Sequence, residues 1–388
     1  MSNGKRKIAV PIVDRANYGR LKPVLLTIQS HKDMELQIIC SGSTVLERFG
    51  LPINDIRKDG FPVVRAVHIE IEGSIPSTMA KSFGMGVIEF ASEFQQLQPD
   101  LLLAIGDRYE MLSAVIAASF MNIPIAHIQG GEVSGSIDEN TRHAITKFAQ
   151  YHFPATQRAA EYVIQMGEDP RTVFNFGCPG SEVARLNEVQ VTSDTINAHG
   201  SGAALDIERP FVLVIYHPVT TSFGHETEPV AELITALDEL KMQTLWLWPN
   251  IDAGADHISK LIRLYREHHN PDWLRLAKNF SPEVYGRILA KAAVAVGNSS
   301  SFVRDSGFYG TPVLLVGDRQ IGREFSENVT VAPREDAATI LGEIRRKLQH
   351  GRYPPSRLYG DGYVARKIAD KLAEVPLYVQ KHLHYIYR

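Results

Sequence analysis

The chain has 388 residues, of which 44% are hydrophobic and 22% charged, with a formal net charge of −3. That length accommodates two domains, each with its own core, and the balanced charge without a basic tract argues against a nucleic-acid partner. Cys40 and Cys178 alone support neither a disulfide framework nor a zinc spacing, so no metal is expected, and no run of 18 apolar residues points to a membrane partner.

The opening residues lead into a strand-like segment without a signal-peptide pattern, so the cytoplasm is the expected compartment. "KIAVPIV" (7–13) is a short β-branched run, followed by the polar turn "DRANYGR", the helical pattern "LKPVLLTIQSH" and a second strand signal, "LQIICSG" (36–42). After the amphipathic helix "GVIEFASEFQQLQ" come a buried strand (101–106), the helix "MLSAVIAASFM" and a strand at 124–129. The pattern restarts with strands at 211–216, 243–249, 293–297 and 312–317, beyond a polar connection at 186–210. Buried, non-alternating strands joined by helices predict two α/β halves with parallel sheets.

In such sheets ligands bind beyond the carboxyl ends of the strands. The polar signals fall there: "DRANYGR", "GDRYE", "QGGEVSGSIDE", "YHPVTT", "PNIDAG" and "NSSS" each follow a strand, and both halves supply some. The expected site is therefore the cleft between the halves. Asp107 and Arg108 stand where a strand gives way to a helix, and Asp107 is a candidate for either catalysis or an N-cap. Asp138 lies within "SIDE", where Ser136 and Glu139 have capping-box spacing. His217 follows a buried strand, as many structural histidines do, but shares its loop with a proline and two threonines. "GNSSS" opens a helix whose N–H groups suit a phosphate. Tyr216, Trp246 and Trp248 are assigned to the core or the cleft wall. No glycine fingerprint follows the first strand, which weighs against a nicotinamide cofactor.

Together, "GDRYE", "HIQGGEVSGSIDENTRHAITKFA", "GCPG", "YHPVTT", "PNIDAG", "GNSSSFVRD" and "GDRQIGR" resemble the hydrolysing UDP-N-acetylglucosamine 2-epimerases of sialic and legionaminic acid synthesis. The resemblance runs from about residue 8 to about residue 330. It implies a GT-B fold: an N-terminal Rossmann-like domain over 1–187 carrying catalytic loops, a C-terminal one over 206–365 binding UDP, and a tail over 366–388 returning to the first.

The implied reaction is anti elimination of UDP from UDP-N-acetylglucosamine, or a 2,4-diacetamido-trideoxy analogue, to a glycal, followed by hydration to the free 2-epimer. It requires acid/base groups and a diphosphate cradle but no cofactor. By resemblance the catalytic acids fall on Asp107 and Asp138 and the active-site histidine on His217. Arg15, Arg108, Asn250, Ser299, Ser300, Asp305 and Arg319 fall on substrate-binding positions. Two departures stand out. Gln129 occupies a position where several relatives have a catalytic glutamate, and Asn17 replaces a common aspartate. A glutamine cannot act as a base, so either Glu132 takes part of that role, or Gln129 orients the sugar, or catalysis is weakened. A non-hydrolysing epimerase, a GT-B glycosyltransferase and an inactive UDP-sugar-binding protein are the alternatives. Relatives assemble as dimers or tetramers, which implies a homo-oligomer.

Overall fold

The computed structural model describes residues 4–384, so the last four residues of the expected tail lie outside the described residues. Six strands form the first sheet: β1 (Arg6–Ile12), β2 (Met34–Cys40), β3 (Val63–Ala66), β4 (Leu101–Ile105), β5 (Ile125–Ile128) and β6 (Tyr151–Phe153). Their spatial order is β3-β2-β1-β4-β5-β6 and every pairing is parallel. The strand order reverses between β1 and β4, and a crevice opens at such a point. The loop after β1 and the first turn of the helix Arg15–Ser30 carry Asp14–Asn17 into it, and the loop after β4 carries Asp107–Arg108.

The second sheet comprises β7 (Ser201–Gly202), β8 (Val212–Ile215), β9 (Thr244–Leu247), β10 (Leu274–Ala277), β11 (Val294–Gly297), β12 (Val313–Leu315) and β13 (Val329–Val331). The order is β13-β12-β11-β8-β9-β10-β7, parallel except where two-residue β7 runs antiparallel to β10. Its switch point lies between β8 and β11, which aims the loops holding His217 and Ser299 at the first sheet's crevice.

The strands are apolar on both faces because helices cover both. In the second sheet, Leu213, Ile215, Leu245, Leu247 and Ala295 pack on one side, while Val212, Val214, Trp246, Val294 and Val296 pack on the other, the two-residue period of a pleated strand. The first sheet's core also takes in Ile368, Ala369 and Leu372 from the helix Ala365–Glu374, which lies against the helix Arg15–Ser30. Beyond it the chain runs along the sheet edge. Tyr151 donates to the Pro376 carbonyl, Gln150 Nε2 to Val379 O at 2.9 Å, and Tyr378 to Gln150 O at 3.2 Å. Among the described residues no helix is long and apolar enough to cross a membrane.

Candidate active site

A cavity of about 290 Å³ lies between the two sheets. Asp14, Arg15, Asn17, Arg20, Asp107, Arg108 and Asp138 line it from the first sheet, and His217, Trp248, Asn250, Phe280, Ser299, Ser300, Asp305 and Arg319 from the second. All the sequence-predicted site residues except Gln129 and Glu132 therefore meet at one place.

Asp107 does not cap the following helix. That helix begins at Tyr109, its N-cap Arg108 makes no side-chain cap, and Asp107 instead accepts from Arg142 Nε at 3.0 Å and from Arg142 Nη2. Arg142 is fully buried, while one fifth of the Asp107 side chain remains open to the cleft. Burial alone would favour the neutral acid, but Arg142, backed by Arg304 and Arg323, overrides it and holds Asp107 below the usual carboxylate range.

Asp138 is perturbed in the opposite direction. Burial and then the charge of Asp107 raise its proton affinity, opposed by Arg319, whose Nη2 lies 3.1 Å from Asp138 Oδ2 across the cleft. The "SIDE" capping box does not form. Ser136 Oγ donates to Asp138 Oδ2 at 3.0 Å, and the Glu139 carboxylate receives the Ser134 N–H at 2.7 Å. Asp138 opens the helix Asp138–Phe148 with its side chain uncommitted to a cap, and Arg142 lies one turn further on the same face. Two neighbouring carboxylates are thus shifted in opposite directions, the pattern of a paired base and acid.

His217 is fixed as a neutral donor. Its Nδ1 accepts the Asn250 backbone N–H at 3.1 Å, so the ring proton sits on Nε2. Burial first, and then Arg319, push its pKa down to about 3, with Asp252 pulling the other way. Asn298 bridges the backbone on either side, taking the His217 N–H at 2.7 Å and donating to its carbonyl at 2.8 Å.

The anion-binding side is built differently from the sequence expectation. The helix opened by the serines is only Ser300–Arg304, too short for a substantial dipole, and the Ser299 hydroxyl caps it by accepting from Ser301 N–H. Guanidinium groups supply the positive charge. Arg20 donates to Ser300 Oγ at 3.3 Å, Arg15 to the Phe280 carbonyl at 3.3 Å, and both face the cavity. Asp305 turns a buried Oδ1 without a protein partner toward the same region. Arg108 is more tightly committed than a free substrate ligand: Glu110 receives it at 2.8 and 3.0 Å, and Asp252, from the other half, pairs with its third nitrogen.

Gln129 and Glu132 require correction as cleft residues. Gln129 is completely buried with φ at +69°, and its Nε2 approaches Cys178 Sγ at 3.0 Å instead of the cavity. Glu132 does not line the cavity: its carboxylate is buried against Arg304 and Arg323, which hold it ionised against its burial, and a bound sugar in the cleft has no access to it. Tyr216 and Trp246 are core residues, and Trp248 forms cleft wall. Sequence reasoning missed Arg20, Arg142 and Asp252. The first two had a signal, since each lies three or four positions beyond a candidate on one helix face (Asn17, Asp138), whereas Asp252 was quoted within its motif but given no role.

Residues 26–373 match the family described as UDP-N-acetylglucosamine 2-epimerase. The chain is 34% identical to a UDP-N,N'-diacetylbacillosamine 2-epimerase (hydrolyzing) of Legionella pneumophila, over 97% of both chains. It is 31% identical to a GDP/UDP-N,N'-diacetylbacillosamine 2-epimerase (hydrolyzing) of Campylobacter jejuni, over 88% of both. Among solved structures it resembles S. aureus MnaA with UDP, at a TM-score of 0.77 and 14% identity, covering 98% of this chain and 100% of that one. The Neisseria meningitidis UDP-GlcNAc 2-epimerase bound to UDP-GlcNAc matches at 0.75 and 14%, over 95% and 100%. At such identities these structures speak to the fold, which is GT-B: two doubly wound α/β units facing across a cleft. From the family match and the full-length relatives together, the chain belongs to the UDP-N-acetylglucosamine 2-epimerase family.

Proposed function

We propose that this chain is a hydrolysing 2-epimerase that converts UDP-N-acetylglucosamine, or a UDP-2,4-diacetamido-trideoxyhexose, and water to UDP and the free 2-epimeric sugar, in the supply of nonulosonic acids. The observation that carries the reading is the pair of cleft carboxylates held apart in proton affinity, Asp107 below the usual range and Asp138 above it. In the α-linked substrate the C2 hydrogen and the UDP oxygen on C1 are trans and axial. Asp107, as carboxylate, suits removal of the C2 proton while the C1–O bond breaks and its electrons leave with UDP. Arg15, Arg20 and Arg319, with the hydroxyls of Ser299 and Ser300, suit the growing negative charge on the diphosphate. Hydration then closes the cycle: Asp138, whose proton affinity is raised, suits delivery of a proton to C2 on the opposite face, a water oxygen bonds to C1 and the water's proton restores Asp138, while Asp107 gives up to solvent the proton taken from C2. The Nε2–H of His217 is suited to hydrogen-bond the leaving oxygen.

In this reading residues 1–187 supply the acid/base groups, 206–365 hold the nucleotide, and the described part of the tail, 366–384, returns to the first unit. A cytoplasmic homodimer or homotetramer is consistent with the absence of a long apolar helix among the described residues and with exposed Ile88 and Phe120 on the first unit. The likeness to the hydrolysing Legionella and Campylobacter enzymes favours the diacetamido substrate, and it is the hydrolytic outcome that needs testing. The purified protein is incubated with each UDP-sugar and the products resolved. UDP with a free reducing sugar supports the proposal, an epimerised UDP-sugar without free UDP supports a non-hydrolysing epimerase, and binding without turnover supports a sugar-binding protein.

A further inference from the structure

A deeply buried charge cluster lies behind the cleft. Glu132, on the loop between β5 and the helix Asp138–Phe148, reaches across to the other unit, where Arg304 forks onto it at 2.7 and 3.0 Å and Arg323 completes the pair. All three side chains are 3% exposed or less. The same residue acts on its own side through its backbone, because Glu132 O accepts Arg142 Nη1 at 2.7 Å, and Arg142 is the group that grips Asp107. Nearby, Gly135 N–H donates to Arg319 O at 3.1 Å, so the loop carrying Glu132 is docked along the loop carrying Arg319.

This buried group holds three guanidinium groups against two carboxylates, Glu132 and Asp107. Without Glu132, Arg304 and Arg323 would sit unpaired in a dry environment, and the repulsion and the search for a new anion would fall on the nearest one, Asp107. A small shift of Arg142 moves Asp107 with it, and near-attack geometry is sensitive to displacements of about 1 Å.

We propose that Glu132 is a positioning residue for the proton-transfer step, a latch that joins docking of the two units to the orientation of Asp107 through Arg142. It touches no substrate. The proposal rests on the epimerase reading above and assigns Glu132 a role within it.

The experiment compares Glu132→Gln in the unmodified protein and in an Asp107→Asn background, reading UDP release and deuterium incorporation at C2 in heavy water. In the unmodified background both rates fall by about 10²-fold. In the Asp107→Asn background the further loss is under about 3-fold, because the group through which Glu132 acts is already disabled. Glu132→Asp keeps the buried charges balanced and carries the same comparison where Glu132→Gln does not fold; its expected loss is about 10-fold, again absent beside Asp107→Asn. Equal losses in both backgrounds, the signature of a merely structural residue, overturn the proposal, as does turnover unchanged by Glu132→Gln. Absence of UDP release and of C2 exchange by the unmodified protein overturns the epimerase reading and the latch together, whereas active unmodified protein with uncoupled Glu132 overturns the latch alone.

Discussion

Asp107 and Asp138 differ chiefly in what faces them: one is gripped by a buried guanidinium, the other lies beside a carboxylate with Arg319 at its edge. Replacing either with asparagine keeps the shape and removes the titration. Asp107→Asn and Asp138→Asn are each expected to lower turnover by roughly 10²–10⁴-fold with little change in UDP affinity, measured as UDP release and by calorimetry. Near-normal release by both variants would return these residues to a structural role. His217 yields a pH prediction. Its folded pKa, pushed down to about 3, lies far below the working range, so it stays neutral and contributes no inflection near pH 6.5 to the profile of kcat/KM. Wild type and His217→Gln are expected to give profiles of the same shape at different heights; loss of an inflection near 6.5 in the variant would refute the neutral-donor assignment. The sequence places these three residues in the cleft because each follows a buried strand at its carboxyl end. It misplaces Gln129 and Glu132 because the glycines around them leave side-chain direction undetermined, and only partners distant in sequence decide it, Cys178 for Gln129 and Arg304 and Arg323 for Glu132.

Among the elements, the apolar runs "LLLAI" and "VLVI" are legible as β4 and β8 because burial on both faces writes itself into composition. The strands sequence reasoning passes over are those that tertiary pairing creates. β7 is two residues long, β6 and β13 three, β3 four with no fully buried residue, and β10 carries Arg275, whose head group bonds the carbonyls of Asn197 and His199. What holds the chain after the last helix is equally illegible, since it is a polar cluster around the buried Glu168. Glu168 receives Lys147 at 2.6 Å, Lys381 at 2.6 Å and His152 at 3.1 Å, while Lys381 also donates to the last-turn carbonyl of Lys147 at 2.8 Å, at the far end of the helix that Asp138 opens. Burial opposes the charge on Glu168, but His152 and the two lysines prevail and bring its pKa down to about 2. A folded pKa below the unfolded one means that the stabilisation is complete above about 4.5 and is lost as pH falls toward 2. Buried His152, whose proton affinity burial lowers, acts in the same direction from about pH 6.5 downward. Burial lowers the proton affinity of Lys381 in spite of Glu168, which offsets part of the gain, so Lys381→Met is expected to lower the melting temperature only modestly at pH 7, and the gap from wild type is expected to narrow as pH approaches 2. A gap that stays constant or widens would show that Lys381 does not act through Glu168.

At the scale of the whole molecule, each sheet has its own hydrophobic core, with Ala155 and Cys178 of the first unit packed into one face of the second, and the contacts that join the units beside the site include polar pairs: Arg108 with Asp252, Arg319 with Asp138, Glu132 with Arg304 and Arg323. Apolar burial stabilises each unit, whereas the relation between them depends on directional contacts with tight steric limits. Gly135 is where that limit is sharpest. A Cβ there would meet the Asp318 backbone oxygen at 2.0 Å, and a backbone atom has no rotamer by which to escape. Gly135→Ala must push the two loops apart, stretching the 3.1 Å bond from Gly135 N–H to Arg319 O and drawing Arg319 away from Asp138. The expected destabilisation is that of overpacking, about 1–3 kcal/mol, and turnover is expected to fall by about 10–10²-fold because the cleft closes in the wrong register. Gly342 serves as the control. It lies within the helix Ala337–His350 with nothing within 4 Å of its missing Cβ, so Gly342→Ala is expected to stabilise by about 0.5–1 kcal/mol and leave turnover unchanged. Melting curves and UDP release measured on both variants distinguish the cases. If Gly135→Ala behaves like Gly342→Ala, the two loops tolerate separation, and the contact between the units is not what orients Arg319 against Asp138.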